Sequence, residues 1–253
     1  MNKHAITAGL VTWFLLAGVK LASADDAPGK APEPPVQAQA PQPGRNVPAG
    51  AKREPGQVEG IPKRDPKADA KLIDLTPYFT LALDEDASGQ FGYSLAMLPQ
   101  GVQTLGNVAY DLRGVVQLSS RVFPKFQRDF PAEVLGIKVG RKCHTLNFLH
   151  ASRWTEPNGT TIAKYVVHYA NGQSREIPLH FGTELRDWRP MHDPEPRVNG
   201  PFVAWHGLDD GKREVVLFQT AWNNPLPDVE VASVDAVSTM TDAALFVVGI
   251  TAQ

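Results

Sequence analysis

The chain has 253 residues, a formal net charge of -2 and one cysteine, Cys143. A single cysteine excludes an internal disulfide, so the fold must depend on a hydrophobic core. The charges form no basic face of the kind that binds nucleic acid or an anionic membrane, so neither is expected as a partner.

Residues 1–24 are typical of a secretory signal peptide. Lys3 precedes an apolar segment over residues 5–19, and the small residues Ala22 and Ala24 occupy the positions that determine cleavage. The alternative is a membrane anchor, but the apolar run is shorter than the ~20 residues that span a bilayer, and Lys20 ends it. We therefore expect cleavage after Ala24 and a secreted, periplasmic or cell-surface protein that does not span the membrane.

Residues 25–70 have the composition of a disordered linker. They contain ten of the 22 prolines of the chain and no aromatic residue. Such a segment buries too little apolar surface to offset the entropy lost on ordering. We expect a Pro-rich spacer between the signal peptide and a domain over residues 71–253.

Residues 71–253 carry β-strand patterns throughout. Short runs rich in β-branched and aromatic residues, such as "TTIAKYVVHYA" and "REVVLFQTAW", alternate with clusters of Gly, Pro, Asn and Asp. Roughly ten such runs in about 180 residues predict an all-β fold, an antiparallel two-sheet β-sandwich or jelly roll. Asn171-Gly172 indicates a hairpin, and a two-residue turn would place His168 opposite Arg175.

Three features of the sequence allow more specific predictions about the strands. "AALFVVGI" is apolar on both faces, which predicts a central strand covered on both sides, and "REVVLFQTAW" should lie near the middle of a sheet. Trp205 and Trp222 fall within strand patterns and are assigned to the core. In "AWNNPLPDVEVASVDAVS", Pro225 and Pro227 predict a stiff crossing whose asparagines bond exposed backbone groups. A shift of apolar alternation between Val231 and Val234 predicts a bulge or a bend.

No catalytic constellation is recognisable. The seven histidines show no close pairing of the kind that zinc requires. "GYSLA", residues 92–96, is faintly similar to a nucleophile elbow, but no buried strand precedes it and no glycine-rich oxyanion segment accompanies it. Cys143 and His144 are neighbours that point to opposite faces of a strand, so they cannot act as a nucleophile and its base, and we expect a buried or half-buried free thiol. We expect no cofactor other than a possible structural calcium ion.

The acidic run at residues 84–86 is the one candidate for a metal. Asp84 and Asp86 could supply carboxylate oxygens to a structural calcium ion, which accepts ligands from irregular loops. The alternative is a solvated acidic turn, and the spacing does not match an EF-hand.

Four segments together resemble a known family. Residues 98–118, 165–188, 203–207 and 218–238 are similar, in that order, to the galactose-binding-like (discoidin-type) jelly-roll modules of bacterial exported proteins, which are related to carbohydrate-binding modules. The resemblance covers nearly all of the chain from residue 72. It implies a two-sheet sandwich and makes carbohydrate the leading candidate ligand, without transferring a binding site.

Sugar recognition requires an aromatic face and planar polar groups, which sandwiches supply from loops at one end. The long segment over residues 184–200 is the first candidate and "RWTEPNGT", residues 153–160, is the second. The candidate ligand-binding residues are Trp188, Arg186, Asp187, His192, Trp154 and Asn158. Each tryptophan is alternatively a core residue that closes the end of the sandwich.

Three functions remain open at this point. The first is an exported, non-catalytic module that binds carbohydrate or cell-envelope glycan. The second is a protein-interaction or structural domain of the envelope, which would show an apolar surface patch. The third is a hydrolase with convergent carboxylates, for which the sequence supplies no constellation.

Overall fold

The structure is a computed structural model, and it describes residues 45–46, 49–89, 92–193 and 200–253. All of these lie in one unit, Ala40–Gln253. The expected signal peptide and residues 25–44 of the expected linker lie outside the described residues.

Strands form nearly all of the regular structure in the described residues. The strands are β1 (Arg45–Asn46), β2 (Leu81–Ala82), β3 (Glu85–Asp86), β4 (Gly101–Leu105), β5 (Val108–Leu112), β6 (Gly114–Gln117), β7 (Glu133–Arg141), β8 (Thr145–Arg153), β9 (Thr161–Tyr169), β10 (Ser174–His180), β11 (Phe202–Leu208), β12 (Glu214–Asn223), β13 (Val231–Ser238) and β14 (Ala244–Ala252). Three short 3-10 helices occupy Thr76–Tyr78, Phe123–Phe126 and Pro190–His192.

Two antiparallel sheets make up the body of the fold. One has four strands in the order β10-β9-β13-β7, and the other has six in the order β11-β12-β8-β14-β6-β2. The strands β4 and β5 form a separate antiparallel pair, and β1 pairs with β3 in parallel. The prediction of a mostly β, antiparallel fold is confirmed, and the arrangement is compatible with a β-sandwich.

Side chains from both sheets meet in one hydrophobic core. Phe148 on β8 stacks on Tyr165 on β9, with ring centroids 4.0 Å apart. His150 joins this contact, because its Nδ1 lies 2.9 Å from the Tyr165 hydroxyl and its Nε2 lies 2.9 Å from the Thr220 hydroxyl. Complete burial lowers the pKa of His150 to about 3, so the ring is neutral and structural.

The strand interpretations of β12 and β14 are confirmed. Every residue of β14 is buried, and β14 lies between β8 and β6 in the interior of its sheet. β12 lies between β11 and β8, so it is also an interior strand. The assignment of Trp205 and Trp222 to the core holds only in part, because both are half-buried and pack at its margin.

The hairpin at Asn171-Gly172 is confirmed, but its register differs from the prediction by one residue. His168 lies opposite Ser174, and not opposite Arg175. The Tyr169 amide bonds to the Gln173 carbonyl at 2.9 Å, so three residues form the loop. Gly172, at φ +83°, takes the left-handed position that a three-residue loop requires.

One asparagine, Asn224, holds the crossing between β12 and β13, so the prediction that asparagines bond backbone groups there is confirmed for this residue. The Asn224 side-chain amide donates to the carbonyl of Cys143 at 2.8 Å, and its Oδ1 accepts from the amide of Leu226 at 2.9 Å. The pairing of β13 with β9 shifts register between Val231 and Ser233, which agrees with the predicted bulge or bend. Cys143 is a buried free thiol, also as predicted.

Part of the expected linker lies against the β domain. Arg53 pairs with Glu85 at 3.3 Å, and the Arg64 guanidinium donates to the carbonyl of Leu72 at 2.5 Å. The Gly56 amide bonds to the carbonyl of Phe79 at 2.9 Å, and Ile61 packs against the core. Residues 49–70 therefore form an irregular but bonded segment, because backbone and ionic contacts supply the order that the missing aromatic residues cannot.

None of the helices in the described residues is both long enough and apolar enough to cross a membrane.

Candidate functional site

A pocket of about 350 Å³, open to solvent on one side, lies beyond the C-terminal end of β8. We call it the end pocket. It is lined by Ser88, Tyr93, Phe126, Arg153, Trp154, Asp187, Trp188, Arg189 and His192. This volume includes space that is open to solvent.

The end of β8 supplies two walls of the pocket. Arg153 is the last residue of the strand and is 4% exposed, while Trp154 follows it and is half-buried. Trp154 has φ +62°, a left-handed conformation that is unusual and costly for a bulky residue. The Ser152 hydroxyl donates to the Trp154 carbonyl at 3.2 Å and helps to hold this reversal.

Aromatic rings support Trp154 on two sides. Its ring is parallel to that of Phe126, with centroids 6.0 Å apart and an angle of 7° between the planes. The Phe123 ring meets it edge-on at 4.8 Å. Both phenylalanines belong to the 3-10 helix Phe123–Phe126, so this helix fixes the aromatic side of the pocket.

The opposite side comes from residues 186–188, which lie between β8 and β12. The Ser152 amide bonds to the Arg186 carbonyl at 3.0 Å, the Trp188 amide bonds to the Ser152 carbonyl at 2.9 Å, and the Val216 amide bonds to the Trp188 carbonyl at 2.8 Å. These ladder-like bonds hold the first part of the long segment rigidly. They also turn Trp188 inward.

Trp188 is only 2% exposed, so of the two alternatives for this residue the structure has the core position. Its ring meets Phe246 edge-on at 5.9 Å, and the Arg153 guanidinium lies 4.6 Å from its centroid. Trp188 thus forms the floor of the end pocket beneath Arg153, and it offers no exposed stacking platform.

Asp187 is the carboxyl group of the pocket. Its Oδ1 accepts a hydrogen bond from the Arg189 amide at 2.9 Å, and its Oδ2 lies 3.9 Å from Nδ1 of His192. Burial raises the pKa of Asp187 to about 7, against the lowering effect of the Arg189 amide and of the Arg189 and Arg153 charges. The nearby Asp193 raises it further. Asp187 therefore changes charge near neutral pH.

Two buried guanidinium groups accompany this carboxyl. Arg153 donates through Nε to the side-chain oxygen of Gln117 at 2.9 Å, and burial lowers the pKa of Arg153 to about 10. Arg189 is 1% exposed, pairs with Asp209 at 2.5 Å and lies 3.3 Å over the Tyr93 ring. His192, whose pKa is lowered by burial and by Arg189, is exposed at the mouth.

The candidate residues from the sequence divide into two groups. Trp154, Asp187, Trp188 and His192 all line the end pocket. Arg186 and Asn158 do not: Arg186 forms a buried pair with Asp193, and Asn158 lies against Gly182. The two loops chosen from the sequence are therefore brought together, but two of their polar residues serve the fold around them.

Five lining residues were not among the sequence candidates. Arg153 could have been found from the sequence, because it is a charged residue at the end of a strand that is otherwise almost wholly buried. Arg189 follows Trp188 directly. Tyr93 lies in "GYSLA", for which the sequence predicts no site, and Ser88 and Phe126 come from distant segments that no local pattern connects to the site.

The expected calcium ligands have protein partners. Asp84 pairs with Arg45 at 2.6 Å, and Oδ1 of Asp86 accepts from the amide and the hydroxyl of Ser88 at 2.7 and 2.8 Å. Across the described ranges, no group of three or more His, Cys, Asp or Glu side chains is placed to hold a metal ion.

No protein-family model matches the chain, and no curated protein matches it.

Proposed function

We propose that this chain is an exported, non-catalytic module that binds carbohydrate in the end pocket. The observation that carries the proposal is the combination, in one solvent-open cavity, of aromatic side chains with buried polar groups that have capacity for further hydrogen bonds. The proposal includes a jelly-roll fold of the galactose-binding-like type, because the order of motifs in the sequence resembles that family.

The aromatic side chains suit the apolar faces of a sugar ring. Trp154, Phe126 and Tyr93 line the pocket, and aromatic rings bind such faces through apolar contact. The polar groups suit the hydroxyls, since Asp187 and His192 offer nitrogen and oxygen atoms near the same opening.

The backbone at Trp154 gives independent support. A left-handed tryptophan is expected to raise the free energy of the folded state by about 1–3 kcal/mol, and such strain persists where the surrounding structure requires it. Four described residues other than glycine have a positive φ, namely Gln127, Trp154, Lys212 and Met240, and Trp154 is the one of these four that lines the pocket. That placement is typical of residues retained for binding.

The experiment is a glycan-array screen of the full chain, followed by calorimetric titration of the best oligosaccharide. We expect Trp154→Ala to weaken binding at least about fivefold, because stacking on one ring contributes about 1 kcal/mol or more. Trp222→Ala is the matched control, since Trp222 is also half-buried but lies outside the pocket. Binding that is equally strong in both variants, or no binding across a broad array, would contradict the proposal.

Export is part of this proposal and has its own test. It is supported by the apolar segment over residues 5–19 and by Ala22 and Ala24. We expect the mature protein to begin at Asp25 and to be found outside the cytoplasm. Amino-terminal sequencing of the native protein checks both points, and an intact Met1 in the mature protein would contradict export.

A second candidate, a protein-interaction domain, is favoured by the edge strand β11. β11 ends the six-stranded sheet and exposes Phe202, Val203 and Leu208, the first by 55%. Exposed apolar edge strands pair readily with other chains. If this is the function, Phe202→Lys abolishes association with an envelope protein that copurifies with the wild type, and Trp154→Ala does not.

A further inference from the structure

Arg189 has donor capacity that the described residues leave unused. Its Nη2 donates to Asp209 and to the carbonyl of Gly92, but its Nε and Nη1 are buried and have no hydrogen-bond partner among the residues the structure describes. Arg189 is also part of the pocket lining. Buried guanidinium N–H groups are rarely left unpaired, because the desolvation they undergo is then uncompensated.

Arg153 is a second buried cation in the same lining. The charges of Asp86 and Asp187 stabilise its protonated form, and the charge of Arg189 opposes it. The two guanidinium groups are therefore close enough to repel each other. Both stack on the aromatic walls: Arg153 lies over Trp188 and Arg189 over Tyr93.

Within the pocket lining, the two guanidinium groups outnumber the one carboxyl group, Asp187. Asp209 is shared between Arg189 and Arg213, with Nε of Arg213 3.1 Å from the same Oδ2. The charge of Asp86 acts on two guanidinium groups, because it favours the protonated forms of both Arg128 and Arg153. Asp187 is the remaining carboxyl in the lining, and burial works against its ionisation.

We propose that the end pocket selects carbohydrates that carry an anionic group, and that Arg189 and Arg153 bind this group. This inference rests on the proposed function and names its ligand class. A carboxylate or sulfate on the sugar would accept the unused N–H groups of Arg189, and its charge would offset the surplus of guanidinium groups. The aromatic residues would contact the sugar ring, so the same pocket would bind both the ring and its anionic group.

The test compares matched ligands on the full chain. Oligogalacturonate and its methyl ester have the same sugar backbone, and only the first carries charge. A sulfated galactan oligosaccharide and its desulfated form make a second pair, which separates a carboxylate site from a sulfate site. We expect at least one acidic member to bind at least about tenfold more tightly than its neutral partner, by titration calorimetry.

The outcomes separate this inference from the proposed function. If neutral and acidic members bind equally, or the neutral members bind more tightly, the pocket is a carbohydrate site and the anion selectivity is refuted. If no carbohydrate on the array or in these pairs binds, the proposed function is refuted and the inference with it. A preference for one acidic pair supports the inference and identifies the anionic group.

Two variants assign the selectivity to Arg189. Arg189→Lys keeps the charge but removes the planar set of donors, so we expect the acid-to-neutral affinity ratio to fall at least about fivefold. Arg213→Lys is the control, because Arg213 shares Asp209 and the Tyr93 ring with Arg189 but lies outside the lining. Thermal unfolding of both variants confirms that they are folded. An unchanged ratio in Arg189→Lys would refute the role of this residue.

The variant Asp187→Asn gives an independent test, because it preserves the shape of the pocket and changes only its charge. Asparagine retains an oxygen that can accept from the Arg189 amide, and it removes the one carboxylate charge in the lining. We expect the acid-to-neutral ratio to rise several-fold at pH 8, where the wild-type carboxyl is mostly ionised. A ratio that falls or stays constant would show that the charge of Asp187 does not oppose the ligand.

Discussion

Asp187→Asn also tests the electrostatics of the end pocket without any ligand. The Asp187 side chain is 1% exposed, and burial raises its pKa from the ordinary 3.8 to about 7. The folded protein therefore binds this proton more tightly than the unfolded chain does. It follows that the free energy of unfolding loses a contribution as the pH rises from about 4 to about 7, and the loss is complete above that range.

The size of the effect follows from the two pKa values. Each pKa unit corresponds to about 1.4 kcal/mol, so the loss reaches at most about 4 kcal/mol between pH 4 and pH 8. Asparagine has no proton to lose here. The variant should therefore gain stability relative to the wild type by up to that amount over the same pH range, whatever its stability at pH 4.

The assay is urea unfolding of wild type and Asp187→Asn at pH 4, 6 and 8, followed by tryptophan fluorescence. Differences between the two proteins cancel the titration of all other groups, provided that the slopes of the transitions agree. Asp228→Asn, a charge removal at an exposed position, is the control. If the stability difference between wild type and Asp187→Asn is the same at pH 4 and pH 8, burial does not raise the pKa of Asp187 and the prediction is refuted.

Three other predictions concern single positions. Trp154→Gly should be more stable than Trp154→Ala by about 1 kcal/mol, since only glycine accepts φ +62° without strain; equal urea midpoints would contradict this. Cys143 should react with a thiol reagent only on unfolding, because it is 3% exposed and burial raises its pKa; rapid labelling of the native protein would refute it. His150, with its pKa lowered to about 3, contributes stability that is present above pH 6.5 and lost as the pH falls. Relative to His150→Gln, the wild type should lose about 3 kcal/mol between pH 7 and pH 4, and a constant difference would count against a buried neutral ring.

The strands could be predicted from the sequence because their signals are local. The uninterrupted apolar run of β14 and the Asn171-Gly172 pair depend only on near neighbours, and both lead to the observed elements. The register of the hairpin could not be predicted in the same way. Asn-Gly fits a two-residue or a three-residue loop, and pairing of β9 with its other neighbour, β13, also fixes the strand.

Residues 49–70 show a different limit of prediction from composition. Residues 49–70 have a composition that predicts disorder, yet Arg53 and Arg64 bond to partners 32 and 8 residues away. Composition averages over a segment, whereas these contacts depend on single side chains that meet specific acceptors. A few charged residues and one apolar contact by Ile61 can therefore hold a segment that has no aromatic residue.

The two tryptophans of the end pocket illustrate what sequence reasoning can and cannot separate. Both Trp154 and Trp188 lie in irregular segments beside arginines, and nothing local distinguishes a residue that faces a ligand from one that fills the core. The difference arises from pairing: Trp188 is joined to Ser152 and Val216 by backbone bonds that turn it inward, whereas Trp154 follows the strand end in a left-handed conformation. Burial of Trp188 stabilises the fold, while the conformation of Trp154 opposes it. Trp154 therefore combines a backbone conformation that opposes folding with a ring that lines the pocket, so a change at this position should separate stability from binding.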